Sequence, residues 1–227
     1  MKPIRLFSAP LSMFGMKAHI AALEKGLAVE VVMVPFTAGH RYEPKHPEVL
    51  RINPKGQVPV LIHDSVEIFD STQIFEYLED LVPTPALWPA DIPTRALARQ
   101  LEMKSDEVFF PHVIRLMGLQ DSLDGAPALA ACAAAAGYYL EMDARLTGRD
   151  YLAGPYSFAD IAFFMAQIFA ERMGVPMTDA TPALLQWRDR MTARPAVRSV
   201  MQPLVAYLDA NARPVPPHLQ SLRPDQA

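Results

Sequence analysis

Cysteine is nearly missing from this chain of 227 residues, and the lone Cys132 excludes an intrachain disulfide and any metal site built from several thiolates. Long apolar runs are missing too. None reaches the roughly 20 residues a helix needs to cross a bilayer, and the first residues lack the apolar stretch of a secretory signal. A cytoplasmic location is the resulting expectation. Positive charge is neither in excess nor clustered, with 21 Lys and Arg against 25 Asp and Glu for a net charge of −4. That balance disfavours nucleic acid and acidic membranes as partners. What is present is a hydrophobic fraction of 51% with 20% charged residues, the composition of a soluble globular protein. The length suits one large domain or two small ones.

Along the chain, residues 4 to 7 read as a strand and Met16 to Lys25 as a helix closed by Gly26. Val29 to Val34 reads as a buried strand of a parallel pair. A turn over Glu48 to Ile52, a strand over Val58 to Ile62, a turn at His63-Asp64-Ser65, a strand over Val66 to Phe69 and a helix from Ser71 follow. The contiguous His63-Asp64-Ser65 cannot converge as a hydrolytic triad does. Prolines at 83, 85, 89 and 93 interrupt any helix and mark a linker. Beyond them, helical periodicity runs through Thr94 to Met117, Ala126 to Leu146, Ser157 to Met173, Pro182 to Thr192 and Pro195 to Asn211. The expected division is therefore a first domain over 1–82, a linker over 83–93 and an all-helical domain over 94–227.

Two segments carry local chemistry. In Asn53-Pro54-Lys55-Gly56-Gln57-Val58-Pro59-Val60-Leu61, a turn leads into a strand through proline. A cis Val58–Pro59 bond would turn the Val58 amide and carbonyl outward to pair with an extended peptide; a trans proline opening a strand is the alternative. Shortly after, Asp70 and Ser71 head an amphipathic helix whose N-terminus favours a ligand carboxylate, while the Asp70 carboxylate suits an ammonium. An amino-acid zwitterion fits both; a plain helix cap is the alternative. A third segment, Ser157 to Ile161, reads as a structural capping box of Ser157 with Asp160, with Tyr156 placed to staple against Ile161.

The strand Ile4 to Phe7, the loop Ser8 to Ser12, the NPKGQVPVL run, the Asp70-Ser71 pair and Ser157-Phe158-Ala159-Asp160-Ile161, in this order and spacing, resemble the cytosolic glutathione transferases over nearly the whole chain. The resemblance implies an α/β thioredoxin-like N-terminal domain followed by an all-α C-terminal domain. It implies glutathione as co-substrate, no metal, and a homodimer. Ser12 corresponds to the catalytic serine of the tau, zeta and theta-like classes and would donate to the thiolate; Ser8 is the rival donor. Phe7 stands where tyrosine-using classes carry Tyr, and the loop lacks the Cys of the thiol-transferase classes.

By the same resemblance, Val58 pairs with the cysteinyl unit, Asp70 and Ser71 hold the γ-glutamyl end, and Gln57 and Lys45 meet the glycyl end. His40, Arg41 and His46 share the Lys45 loop and its claim on the glycyl carboxylate. Met13, Phe14, Phe110 and Arg115 are candidates for the wall around a small hydrophobic electrophile. The implied activity is conjugation of the glutathione thiolate to such electrophiles. Its alternatives are a glutathione-dependent peroxidase, isomerase or dehalogenase, and a noncatalytic ligand-binding or interaction protein.

Overall fold

The computed structural model describes residues 3–35, 43 and 45–223. The chain forms two compact units. The first comprises residues 1–85 with 195–212 and 222–227, and the second residues 86–194 with 213–221.

The first unit is built on a four-stranded mixed sheet in the order β2-β1-β3-β4, from β1 (Ile4–Ser8), β2 (Val29–Met33), β3 (Val60–His63) and β4 (Val66–Phe69). β1 and β2 are parallel, whereas β3 is antiparallel to both β1 and β4. Side chains alternate between faces. Phe7, Val60 and Ile62 form one core with Val49, beside the partly buried Ile52 of α2 (Pro47–Ile52). Leu6 and Leu61 alternate to the opposite face, the side of α1 (Met13–Glu24) and α3 (Ser71–Leu81). α9 (Pro195–Ala210) packs on α1, so this unit gathers a helix from far along the chain.

Several elements differ from the sequence expectation. β2 is an edge strand, half-buried rather than enclosed, because Glu30 and Met33 are exposed. β3 starts at Val60, not Val58, and residues 47–52 make a short helix in place of a turn. α1 starts at Met13 rather than Met16. Ser12 caps it, and Gly15, a poor helix former, is tolerated because a Cβ there would sit 2.1 Å from Ser8 Oγ.

The second unit is helical throughout its described elements: α4 (Ile92–Lys104), α5 (Phe110–Met117), α6 (Ala126–Leu146), α7 (Phe158–Arg172) and α8 (Pro182–Ala193). A π-helical turn, Ser105–Phe109, joins α4 to α5, where periodicity had suggested one regular helix. α7 is buried from Phe158 through Ala170, as its all-round apolar sequence requires. Its start is a capping box. Ser157 N–H donates to Asp160 Oδ2 at 3.0 Å, while Leu152 N–H and Trp187 Nε1–H both donate to Oδ1 at 2.9 Å. The Tyr156 ring stands 5.2 Å from that of Tyr151, with the Arg194 guanidinium 3.5 Å above it.

Candidate active site

The last paired row of the antiparallel part of the sheet aligns Phe7, Val60 and Phe69. Because β3 opposes both neighbours, the chain leaves β1 toward Ser12, enters β3 through Val58-Pro59 and leaves β4 into Asp70-Ser71 at the same end of the sheet. Strand direction alone thus gathers three segments that lie far apart in sequence.

Ser12 is buried, and its Oγ accepts from Gly15 N–H at 3.0 Å as the N-cap of α1. Accepting that bond leaves the hydroxyl proton for a second partner. The positive end of the α1 dipole lies at the same place. Ser8 is buried as well, and both serine oxygens crowd the space that a side chain on Gly15 would need.

The Val58–Pro59 bond is cis, and Val58 stands outside the ladder, half-buried against the Phe7 core. Asn53, which sequence reasoning left without a role, builds the preceding turn. Its Nδ2 donates to Gln57 O at 2.7 Å, its Oδ1 accepts from Lys55 N–H at 2.9 Å, and its carbonyl accepts from Gly56 N–H at 2.8 Å. The Asn-Pro-Lys-Gly order was the available signal, since Asn closes such turns and Gly56 takes the positive φ of 58°. Gln57 is exposed on this turn. Lys45 lies over it, its Nζ 3.0 Å from the position of a Gly56 Cβ and 3.7 Å from the Glu43 carboxylate. His46 caps α2 by accepting from Glu48 N–H at 3.2 Å; His40 and Arg41 lie outside the described residues.

Asp70 is exposed and holds a φ of 76°, a region that non-glycine residues rarely occupy. Its Oδ1 caps α3 by accepting from Thr72 and Gln73 N–H at 3.0 and 3.4 Å. Ser71 is buried at the first turn of that helix.

The four residues expected to wall the electrophile fall in both units. Met13 is buried in the core of the first unit, whereas Phe14 is half-buried with Lys17 Nζ 5.3 Å from its ring centre. In the second unit, Phe110 is buried with its ring 6.3 Å from that of Phe169, and Arg115 is exposed on α5. Phe110 therefore packs within the second unit. His63 Nδ1 hydrogen-bonds the Tyr77 hydroxyl at 2.7 Å, and Asp64 turns the chain with a φ of 53°, so that segment is a turn. No His, Cys, Asp and Glu cluster suited to a metal occurs among the described residues.

Residues 6–86 match the family model for the glutathione S-transferase N-terminal domain, and residues 109–195 match that for the C-terminal domain. The chain belongs to the glutathione transferase family. It is 28% identical to protein LigF of Sphingobium sp. over 88% of this chain and 93% of that one. Its identity to glutathione S-transferase 3 of Zea mays is 29%, over 88% and 94%. The crystal structure of glutathione transferase URE2P8 from Phanerochaete chrysosporium with oxidized glutathione superposes with a TM-score of 0.80 at 20% identity, covering 92% of this chain and 98% of that one. At that identity the likeness is one of fold. The mixed sheet with its helices is thus the thioredoxin-like half of a glutathione transferase, and the second unit its helical half.

Proposed function

We propose that the protein conjugates the glutathione thiol to small hydrophobic electrophiles, with Ser12 donating a hydrogen bond to the sulfur. The observation that carries this reading is the arrival of Ser12, Val58 and Asp70-Ser71 at one end of the sheet. A thiol of ordinary pKa near 8.5 is only a few per cent ionised at neutral pH, and the thiolate is the attacking species. A hydroxyl donor beside a helix N-terminus favours the anion on both counts. The thiol proton passes to solvent, and the thiolate forms the sulfur–carbon bond as the electrophile's leaving group departs, chloride in the case of chlorodinitrobenzene; with an activated alkene, the π bond opens and its other carbon takes a proton from solvent.

Other parts of the tripeptide have their own partners in this reading. The Val58 backbone, outside the ladder, pairs with the cysteinyl unit as an added strand would. Asp70 takes the γ-glutamyl ammonium, and Ser71 with the α3 N-terminus takes its carboxylate. Gln57 and Lys45, brought to one turn by Asn53, meet the glycyl carboxylate. The second substrate is a small apolar molecule, and the working form is a homodimer in the cytoplasm.

Ser12→Ala tests the central claim. Glutathione affinity should stay within about threefold, the pKa of the bound thiol should rise by about one unit, and turnover of chlorodinitrobenzene should fall about tenfold. An unchanged thiol pKa and rate would overturn the role of Ser12, and the same measurements on Ser8→Ala would show whether the neighbouring serine donates instead.

A further inference from the structure

A pocket of about 350 Å3 lies between β2, α1 and α9, and the ten described residues that line it all belong to the first unit. Met16, Met33 and Leu204 give it apolar walls, while Ser8, His19 and Tyr207 supply its hydrogen-bonding groups. None of Met13, Phe14, Phe110 and Arg115 lines it. Its volume is at the small end of ligand sites, and a cavity of roughly 150 Å3 already accepts benzene, so one or two aromatic rings fit.

Charge narrows the ligand further. No Lys, Arg, Asp or Glu is among the described residues that line the pocket. Burial lowers the His19 pKa from its ordinary value, so its imidazole is neutral at pH 7 and offers one donor and one acceptor. An ionised ligand would be desolvated there without a counter-charge. We propose that this pocket binds a neutral aromatic molecule of one or two rings carrying a hydroxyl or carbonyl, with His19 and Tyr207 as its polar contacts. Ser8 links the pocket to the thiol site, because it lines the pocket while its Oγ crowds Gly15 beside Ser12. Treating the bound molecule as the acceptor of the thiolate rests on the function proposed above; the binding itself does not.

Calorimetric titration of the full chain with naphthol, naphthoate and naphthylmethylammonium tests the assignment. Naphthol should bind saturably at one site, and the two ions at least about tenfold more weakly. Met33 is half exposed on the edge strand, so Met33→Trp fills the pocket without disturbing the core and should weaken naphthol about tenfold. His19→Leu should weaken naphthol about fivefold but leave unsubstituted naphthalene unaffected. Naphthol binding no tighter than naphthoate, or indifferent to Met33→Trp, overturns the proposal. A parallel glutathione titration separates the two readings. Glutathione uptake without naphthol binding overturns the pocket alone, and naphthol binding without glutathione uptake overturns the thiolate reading alone.

Discussion

The helices α3 and α7 both begin at an acidic or hydroxyl cap, yet the two caps stand in opposite surroundings. Asp160 in the box at α7 is fully buried, and every oxygen has protein partners: Leu152 and Trp187 on Oδ1, Ser157 on Oδ2. Asp70 at α3 is exposed, strained in φ, and uses Oδ1 for its helix. The first arrangement closes a network inside one unit. The second leaves an anionic side chain and a helix N-terminus at the sheet end where the other site segments arrive. Two signals that look alike in sequence thus differ in burial and in how completely the carboxylate is occupied, and the proposed function assigns a ligand only to the second.

The largest expected effect follows from removing the buried carboxylate. Asp160→Ala strands three buried N–H donors, at Leu152, Ser157 and Trp187, and should destabilise the chain by about 3 to 5 kcal/mol in chemical denaturation. Asp160→Asn should cost less, because its carbonyl oxygen can still accept from Leu152 and Trp187 while its amide faces the Ser157 N–H. Burial pushes the Asp160 carboxyl from 3.8 up to about 6, against the opposing hydrogen bonds from Leu152, Trp187 and Ser157. The native state therefore binds this proton more tightly than the unfolded state. Its contribution to stability is fully present below about pH 4 and declines as pH rises through about 6. Stability against pH for the parent and for Asp160→Asn should differ by a slope confined to that window; parallel curves would show that the carboxyl is not held protonated.

Asp70→Gly probes the other cap with a smaller effect on folding. Glycine accepts the positive φ and loses the cap, so the two changes offset and stability should move by less than about 1 kcal/mol. Glutathione affinity should fall about tenfold, the scale of one charge-assisted hydrogen bond. A large loss of stability with unchanged affinity would reverse the contrast and make Asp70 a structural cap like Asp160.

Much of this contrast was legible before the structure, and the rest was not for identifiable reasons. The Ser157–Asp160 box follows from residue type and spacing, because a cap is a local device. The assembly of Ser12, Val58 and Asp70 follows from the order of strands only through the resemblance, since no local rule fixes strand direction. α1 begins at Met13 rather than Met16 because Ser12 caps it there, and Gly15 in its first turn leaves room for Ser8 Oγ. The valines of β2 suggest a buried strand, whereas the charged Glu30 among them fits the edge position it occupies. The pocket beneath α9 had no sequence signal. Its walls come from residues 8 to 33 and 200 to 207, and only the packing of α9 on α1 joins them.

The smallest effect concerns Lys45, and it sharpens the contrast between occupied and available charge. Its ammonium sits over the Gly56 turn with the Glu43 carboxylate at 3.7 Å, a third exposed and therefore well screened by solvent. Lys45→Gln should weaken glutathione only about threefold at low ionic strength, with no measurable change in stability. The loss should shrink as salt is raised, because a Debye length of about 8 Å at physiological ionic strength already screens an exposed pair. Retention of the full loss at high salt would mean that the ammonium is desolvated against the glycyl carboxylate, and the turn built by Asn53 would then be an enclosed part of the site rather than its rim.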